Sequence, residues 1–189
     1  MKKLLAVDGN SIVNRAFYGV RPLSNREGLP TNALFGMVSI LEHNLELVKP
    51  DYCAIAFDLK APTFRHKMYD EYKAGRRPTP DDLLTQIPLA KELAAALGFT
   101  CLEKEGYEAD DILGTLSAMA QDEDCEAYIL TGDRDALQLI SDRVHVLLAT
   151  NTETIDFTCD KFFGKYGVRS SQFVDVKALM GDSSDHIPG

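Results

Sequence analysis

Short, wholly apolar runs alternate along this chain with longer stretches of helical periodicity. Leu4 to Val7, Tyr52 to Phe57, Phe99 to Leu102, Ala127 to Leu130 and Val144 to Leu148 each read as a strand buried on both faces. Thr152 to Phe157 reads as a short hairpin or edge piece. Between these runs the apolar positions recur at three and four residues. Ser11 is placed to cap a helix carrying Arg15, Phe17 and Tyr18. After a loop with Pro22, Gly28 and Pro30, Thr31 or Asn32 caps a long helix, whose stripe is Leu34, Met37, Val38, Leu41, Leu45 and Val48. Pro50 stops it. Thr79-Pro80-Asp81-Asp82 predicts another start, with the face Leu83, Ile87, Ala90, Ala94 and Leu97 and a stop at Gly98. Lys161 to Tyr166 and Ser171 to Met180 also read as helices. Strands alternating with helices predict an α/β fold, with a mostly parallel central sheet flanked by helices.

The polar residues then fall in a pattern. Asp8 ends the first strand and Asp58 follows the second. Asp133 and Asp135 follow the fourth, within Thr131-Gly132-Asp133-Arg134-Asp135. In parallel sheets ligands bind outside the carboxyl ends of the strands, so these acids are expected on one rim. An Asp after a strand is most often a helix cap; the repetition is what favours a site. Glu108-Ala109-Asp110-Asp111 adds three acids before the run Ile112 to Ala120. At about 100° per residue, Ile112, Leu113, Leu116, Met119 and Ala120 share one arc and the acids the other. Complementing a helix dipole explains one or two such acids. Three crowded together call for a cation. Asp182 and Asp185, in the closing stretch, complete a set of nine candidate metal ligands. Carboxylates without histidine or cysteine suit Mg²⁺ or Mn²⁺, and two such ions are a standard device for in-line displacement at phosphorus.

Composition changes the picture in two places. Twenty Lys and Arg against 29 Asp and Glu give a net charge of −9, which argues against a general nucleic-acid coat protein unless bound cations invert the local field. Lys60 to Arg77 runs the other way: six cations against Asp70 and Glu71 make it +4, with Phe64, Tyr69 and Tyr72 interleaved. Such a stretch suits a strand of nucleic acid, with phosphates on the cations and bases on the rings. The four cysteines are scattered and read as small buried hydrophobes in a reducing compartment. His66 and His186 read as surface residues. The first apolar run is too short for a signal peptide, and no run approaches the ~20 residues of a membrane helix, so a cytoplasmic protein is expected. No Walker loop, dinucleotide fingerprint or Ser-His-Asp signature occurs.

Taken in order, Asp8-Gly-Asn-Ser, Asp58, Tyr72-Lys-Ala-Gly-Arg-Arg, Glu108-Ala-Asp-Asp, Thr131-Gly-Asp-Arg-Asp and Leu179-Met-Gly-Asp-Ser-Ser-Asp-His-Ile-Pro-Gly make the whole chain resemble the 5′-nuclease domains of bacterial DNA polymerase I, in the flap endonuclease superfamily. The resemblance implies a PIN-like fold with a basic helical arch at about 60–80. It implies a core over 1–158, and over 159–189 the start of a helix–turn–helix subdomain that continues past Gly189. On that reading the chain is a fragment, with weakened duplex affinity. The implied activity is metal-dependent 5′-3′ exonuclease and structure-specific endonuclease cleavage, in replication and repair. Implied partners are DNA with a 5′ flap or nick and RNA primer–DNA hybrids. Polymerase domains are expected in the same chain, and the protein is expected to be a monomer. By resemblance, Asp8, Asp58, Glu108 and Asp110 hold one ion. Asp133, Asp135, Asp182 and Asp185 lean towards a second, with Asp111 between. Lys73 and Arg76 or Arg77 match positions that steer the scissile phosphate, and Arg15, Arg65 and Arg134 are further phosphate contacts. His186 stands where the family usually has Asn. The alternatives are a PIN-type ribonuclease and an inactive fragment that keeps only the fold.

Overall fold

The structure is a computed structural model and describes residues 1–150 and 153–189. Strands β1 (Lys2–Asp8), β2 (Tyr52–Ala56), β3 (Thr100–Leu102), β4 (Cys125–Thr131), β5 (Val144–Ala149) and β6 (Thr154–Phe157) form one sheet in the order β3-β2-β1-β4-β5-β6. The first five are parallel, and β6 runs antiparallel to β5 along one edge. The edge piece expected from Thr152 thus begins at Thr154, and Thr152 itself lies outside the described residues.

Helices cover both faces, and β1 sits in the middle with Leu5 to Asp8 buried. Leu5 and Val7 point to one side. There they join Ile55 and Leu130 beneath α1 (Gly9–Gly19), α2 (Asn32–Val48) and α4 (Asp81–Ala96). Ala6, Ala56, Ala127 and Ile129 point to the other, beneath α5 (Ala109–Asp122). Phe157, Phe162 and Phe173 close that second core, the last two from α6 (Cys159–Tyr166) and α7 (Phe173–Met180). Alternation along parallel strands therefore supplies two cores, one with bulky and one with small residues at its centre.

Several sequence expectations shift. The first helix starts at Gly9, and Asp8 rather than Ser11 caps it, accepting from the Ser11 amide. Of the two candidates Thr31 takes the cap position of α2, without a side-chain cap bond, and the Asn32 side chain donates to the Phe17 carbonyl. Pro80, not Thr79, takes the cap position of α4, and Leu97 is exposed rather than on its buried face. In α5 the buried residues are Ala109, Leu113, Ser117 and Ala120, while Met119 is 57% exposed. The buried arc is turned about 50° from the one the large apolar residues describe, because α5 lies on Ala6, Ala56 and Ala127 and its small residues allow that close approach. Of the four free thiols only Cys125 is buried, and Cys101 is exposed on the edge strand. The basic stretch is helical only over α3 (Phe64–Met68), then turns through residues 70–75. No helix among the described residues is long and apolar enough to cross a membrane.

Candidate functional site

At the carboxyl ends of β1, β2 and β4 the chain opens into a cleft of about 1180 Å³. All nine candidate carboxylates line it. Asp8 ends the central strand and is 95% buried, its oxygens held by the Ser11 amide (2.9 Å) and the Thr131 hydroxyl (2.8 Å). Asp58 follows β2 and accepts from the Ala109 amide at 2.7 Å, which ties that loop to the start of α5. Thr131 is fully buried and in turn accepts from the Asp133 amide at 3.0 Å. Asp133 accepts from the Asp135 amide at 2.8 Å. One hydroxyl thus links the strand-end acids of β1 and β4.

The acids of the next element are arranged differently. Glu108 caps α5 and is buried. Lys73 donates to it at 2.9 Å and the Tyr72 hydroxyl at 3.1 Å. Asp111 holds Arg65 through two bonds of 2.7 and 2.8 Å and also accepts from the Glu108 amide. The Arg65 pair holds the Asp111 carboxyl below its ordinary value. Asp185 binds Arg76, with Nε at 2.8 Å and Nη2 at 2.5 Å. Lys177, on α7, reaches both Asp135 (2.8 Å) and Asp182 (3.4 Å). Asp110 has no hydrogen-bond or ion-pair partner among the described residues.

The electrostatics follow from this division. Desolvation, then the charges of Asp58 and Asp133, pushes Asp8 up to about 6. Asp110 is pushed up to about 7 by desolvation, then by the charges of Asp8, Asp133, Asp58 and Glu108. Its side chain still reaches solvent through the cleft mouth. Among the described residues no three His, Cys, Asp or Glu side chains stand close enough to hold a metal ion as they are. Mutual repulsion and the pairs to Arg65, Lys73, Arg76 and Lys177 give the physical reason.

Of the expected cations, Arg15, Arg65, Lys73 and Arg76 line the cleft; Arg77 and Arg134 are exposed and do not. Tyr72, expected among exposed stacking rings, is instead half-buried, its hydroxyl on Glu108 and its ring edge-on to His66 at 5.1 Å. His66 completes the Thr63 cap of α3. Sequence reasoning missed Thr131, Asn10 and Lys177. Asn10 accepts from the Asp58 amide at 2.9 Å. Thr131 carried a signal, as a polar residue ending a strand next to Gly-Asp. Lys177 carried none, since a lone Lys on a helix reads as a solvated face.

Comparison with known proteins places this arrangement. The family of the 5′-3′ exonuclease, N-terminal resolvase-like domain, matches residues 3–167. The chain is 47% identical over 190 residues to the thermostable DNA polymerase I of Thermus thermophilus, covering 99% of this chain and 22% of that one. It is 44% identical over 190 residues to DNA polymerase I of Bacillus subtilis, covering 100% and 22%. The chain therefore spans about a fifth of the length of these curated relatives. In three dimensions it is similar to the flap endonuclease of bacteriophage T5, in a pseudo-enzyme–product complex with DNA and metal ions. That match has a TM-score of 0.80 at 20% identity, and covers 100% of this chain and 70% of that one.

Proposed function

This chain belongs to the 5′-3′ exonuclease family, and on that premise we propose that it is the metal-dependent nuclease domain of a longer DNA polymerase I-like protein. Its substrates are DNA with a 5′ flap or nick and RNA primer–DNA hybrids, and it acts as a monomer in the cytoplasm. Polymerase domains lie in the same chain, as the relatives' names suggest. The observation that carries this reading is the convergence of nine carboxylates, from segments up to 177 positions apart, on one cleft with Arg65, Lys73 and Arg76 along its wall.

The donor set fits Mg²⁺ or Mn²⁺: the candidate ligands are all oxygen, and among the described residues no histidine or cysteine lines the cleft. Asp110, bare and facing four other acids, is the group most in need of a counter-ion. Two or more divalent ions bound here would activate water for attack on phosphorus and offset the charge that develops during displacement. The chain's own residues do the rest. Asp8, Asp58, Asp110 and Asp133 form the floor that binds cations. Thr131 and the amides of Ser11 and Ala109 fix the angles of Asp8 and Asp58. Lys73 and Arg76 leave their carboxylates to take the oxygens of the scissile phosphate. A guanidinium and an ammonium there stabilise the charge that develops on the phosphate. Arg15 extends the same path, and the exposed Arg77 and Arg134 contact the backbone farther out.

The test is cleavage of a 5′-flap duplex with Mg²⁺ or Mn²⁺, by this chain and by a version continued through the following domains. Metal-dependent cutting of the flap in preference to single-stranded RNA is expected. Preference for the RNA would instead indicate a PIN-type ribonuclease. Absence of cutting by the longer version would reject the nuclease reading.

A further inference from the structure

The nine carboxylates fall into two groups by what already touches them. Among the described residues, Asp8, Asp58, Asp110 and Asp133 meet no cationic side chain within ion-pair distance; amides and a hydroxyl hold three of them. The other five are paired: Glu108, Asp111 and Asp185 with Lys73, Arg65 and Arg76, and Asp135 and Asp182 with the one ammonium of Lys177. Lys177 does not line the acidic cleft. It lies on α7, in an apolar groove behind the wall that carries Asp135, Asp182 and Asp185, and reaches through to the first two. Its contacts join three separate pieces of chain: α7, the 3-10 turn Asp135–Leu139 and the loop after Gly181. About a third of the Lys177 side chain remains exposed, so the pair is neither deeply buried nor fully solvated.

We propose that Lys177 is a resident counter-ion that competes with a divalent cation for Asp135 and Asp182. This rests on the metal reading above. A cation entering among Asp8, Asp58, Asp110 and Asp133 breaks no ion pair. One entering at Asp135 and Asp182 must displace an ammonium that makes two charge-assisted contacts. Occupation of the outer position therefore detaches α7 from the rim, and the resident lysine weakens it relative to the inner one. Lys177 is a positioning residue in this scheme, since it acts on the substrate only through Asp135 and Asp182.

Calorimetric titration with Mn²⁺ tests the scheme without reference to catalysis. Wild type is expected to take up ions in two unequal steps. Lys177→Met should tighten the weaker step about three- to tenfold, corresponding to roughly 0.7–1.4 kcal/mol, and leave the stronger step unchanged. Lys177→Arg, which keeps the charge, should stay within about twofold of wild type. Lys67→Met, removing the same charge from an exposed position on α3, should leave both steps unaltered. A weaker step that is unmoved or loosened in Lys177→Met, or tightened equally in Lys67→Met, overturns the role of Lys177 alone. If no Mn²⁺ binds to wild type or variant, the metal reading itself falls.

Discussion

Asp110 has no donor among the described residues, and desolvation together with the four acids it faces sets its behaviour. Its folded-state pKa of about 7 and that of Asp8, about 6, both stand above the unfolded value of 3.8. A carboxyl raised in this way favours folding less as pH rises through the folded value, because the folded state is forced to give up a proton it holds well. The metal-free protein should therefore lose stability as pH rises from about 4 to about 7, with little further loss above that. Asp110→Asn should remove part of that loss, raising the metal-free melting temperature at pH 8 by a few degrees while abolishing flap cleavage. Thermal melts in chelator across that range check it, and a variant that melts lower than wild type at pH 8 contradicts it. Thr131 makes the opposite case. Its buried hydroxyl donates to Asp8 and accepts from the Asp133 amide. Thr131→Val keeps the shape and leaves both partners unsatisfied, so a loss of about 1–3 kcal/mol is expected in urea unfolding. A loss near zero would mean that water replaces the hydroxyl.

At the scale of elements, α1 and α2 cross where Gly36 permits it. A Cβ there would lie 2.8 Å from the Ala16 Cβ and 3.1 Å from the Ala16 Cα, a backbone atom. Gly36→Ala is expected to cost about 1–3 kcal/mol by overpacking, measured by chemical denaturation. No change in the unfolding midpoint would show that the helices can part at no cost. The same scale separates what the sequence made legible from what it hid. The strands were readable because parallel strands buried on both faces are short and wholly apolar. The rim was readable because Asp8, Asp58 and Asp133 all stand where such runs stop. The packing of α5 was not. Ser117 and the alanines give no apolar signal, and only the alanine-rich strands beneath them select that face. The cap of α1 was misjudged for a related reason: Asp8 serves as strand end, helix cap and rim acid together, and a pattern assigns one role per residue. The ion pairs of Arg65, Lys73, Arg76 and Lys177 were hidden as well, since they join segments that sequence separation does not connect.

For the whole molecule, a net charge of −9 is compatible with a nucleic-acid substrate because the acids of the cleft are there to be neutralised. Without divalent ions the rim repels itself and borrows the cations of its own wall. On the proposed function, bound ions would free those cations for phosphate. Divalent ions should raise the melting temperature, and by more at pH 8 than at pH 5.5, since protons occupy Asp8 and Asp110 at the lower pH. Equal shifts at both pH values would place the ions elsewhere. The most direct measurement is a crystal structure of the protein soaked in Mn²⁺, with the ions located by anomalous scattering. The account predicts at least one ion at coordination distance, about 2.1 Å, from oxygens of Asp8, Asp110 or Asp133. Ions found only outside the cleft, or an empty cleft at millimolar Mn²⁺, would contradict it.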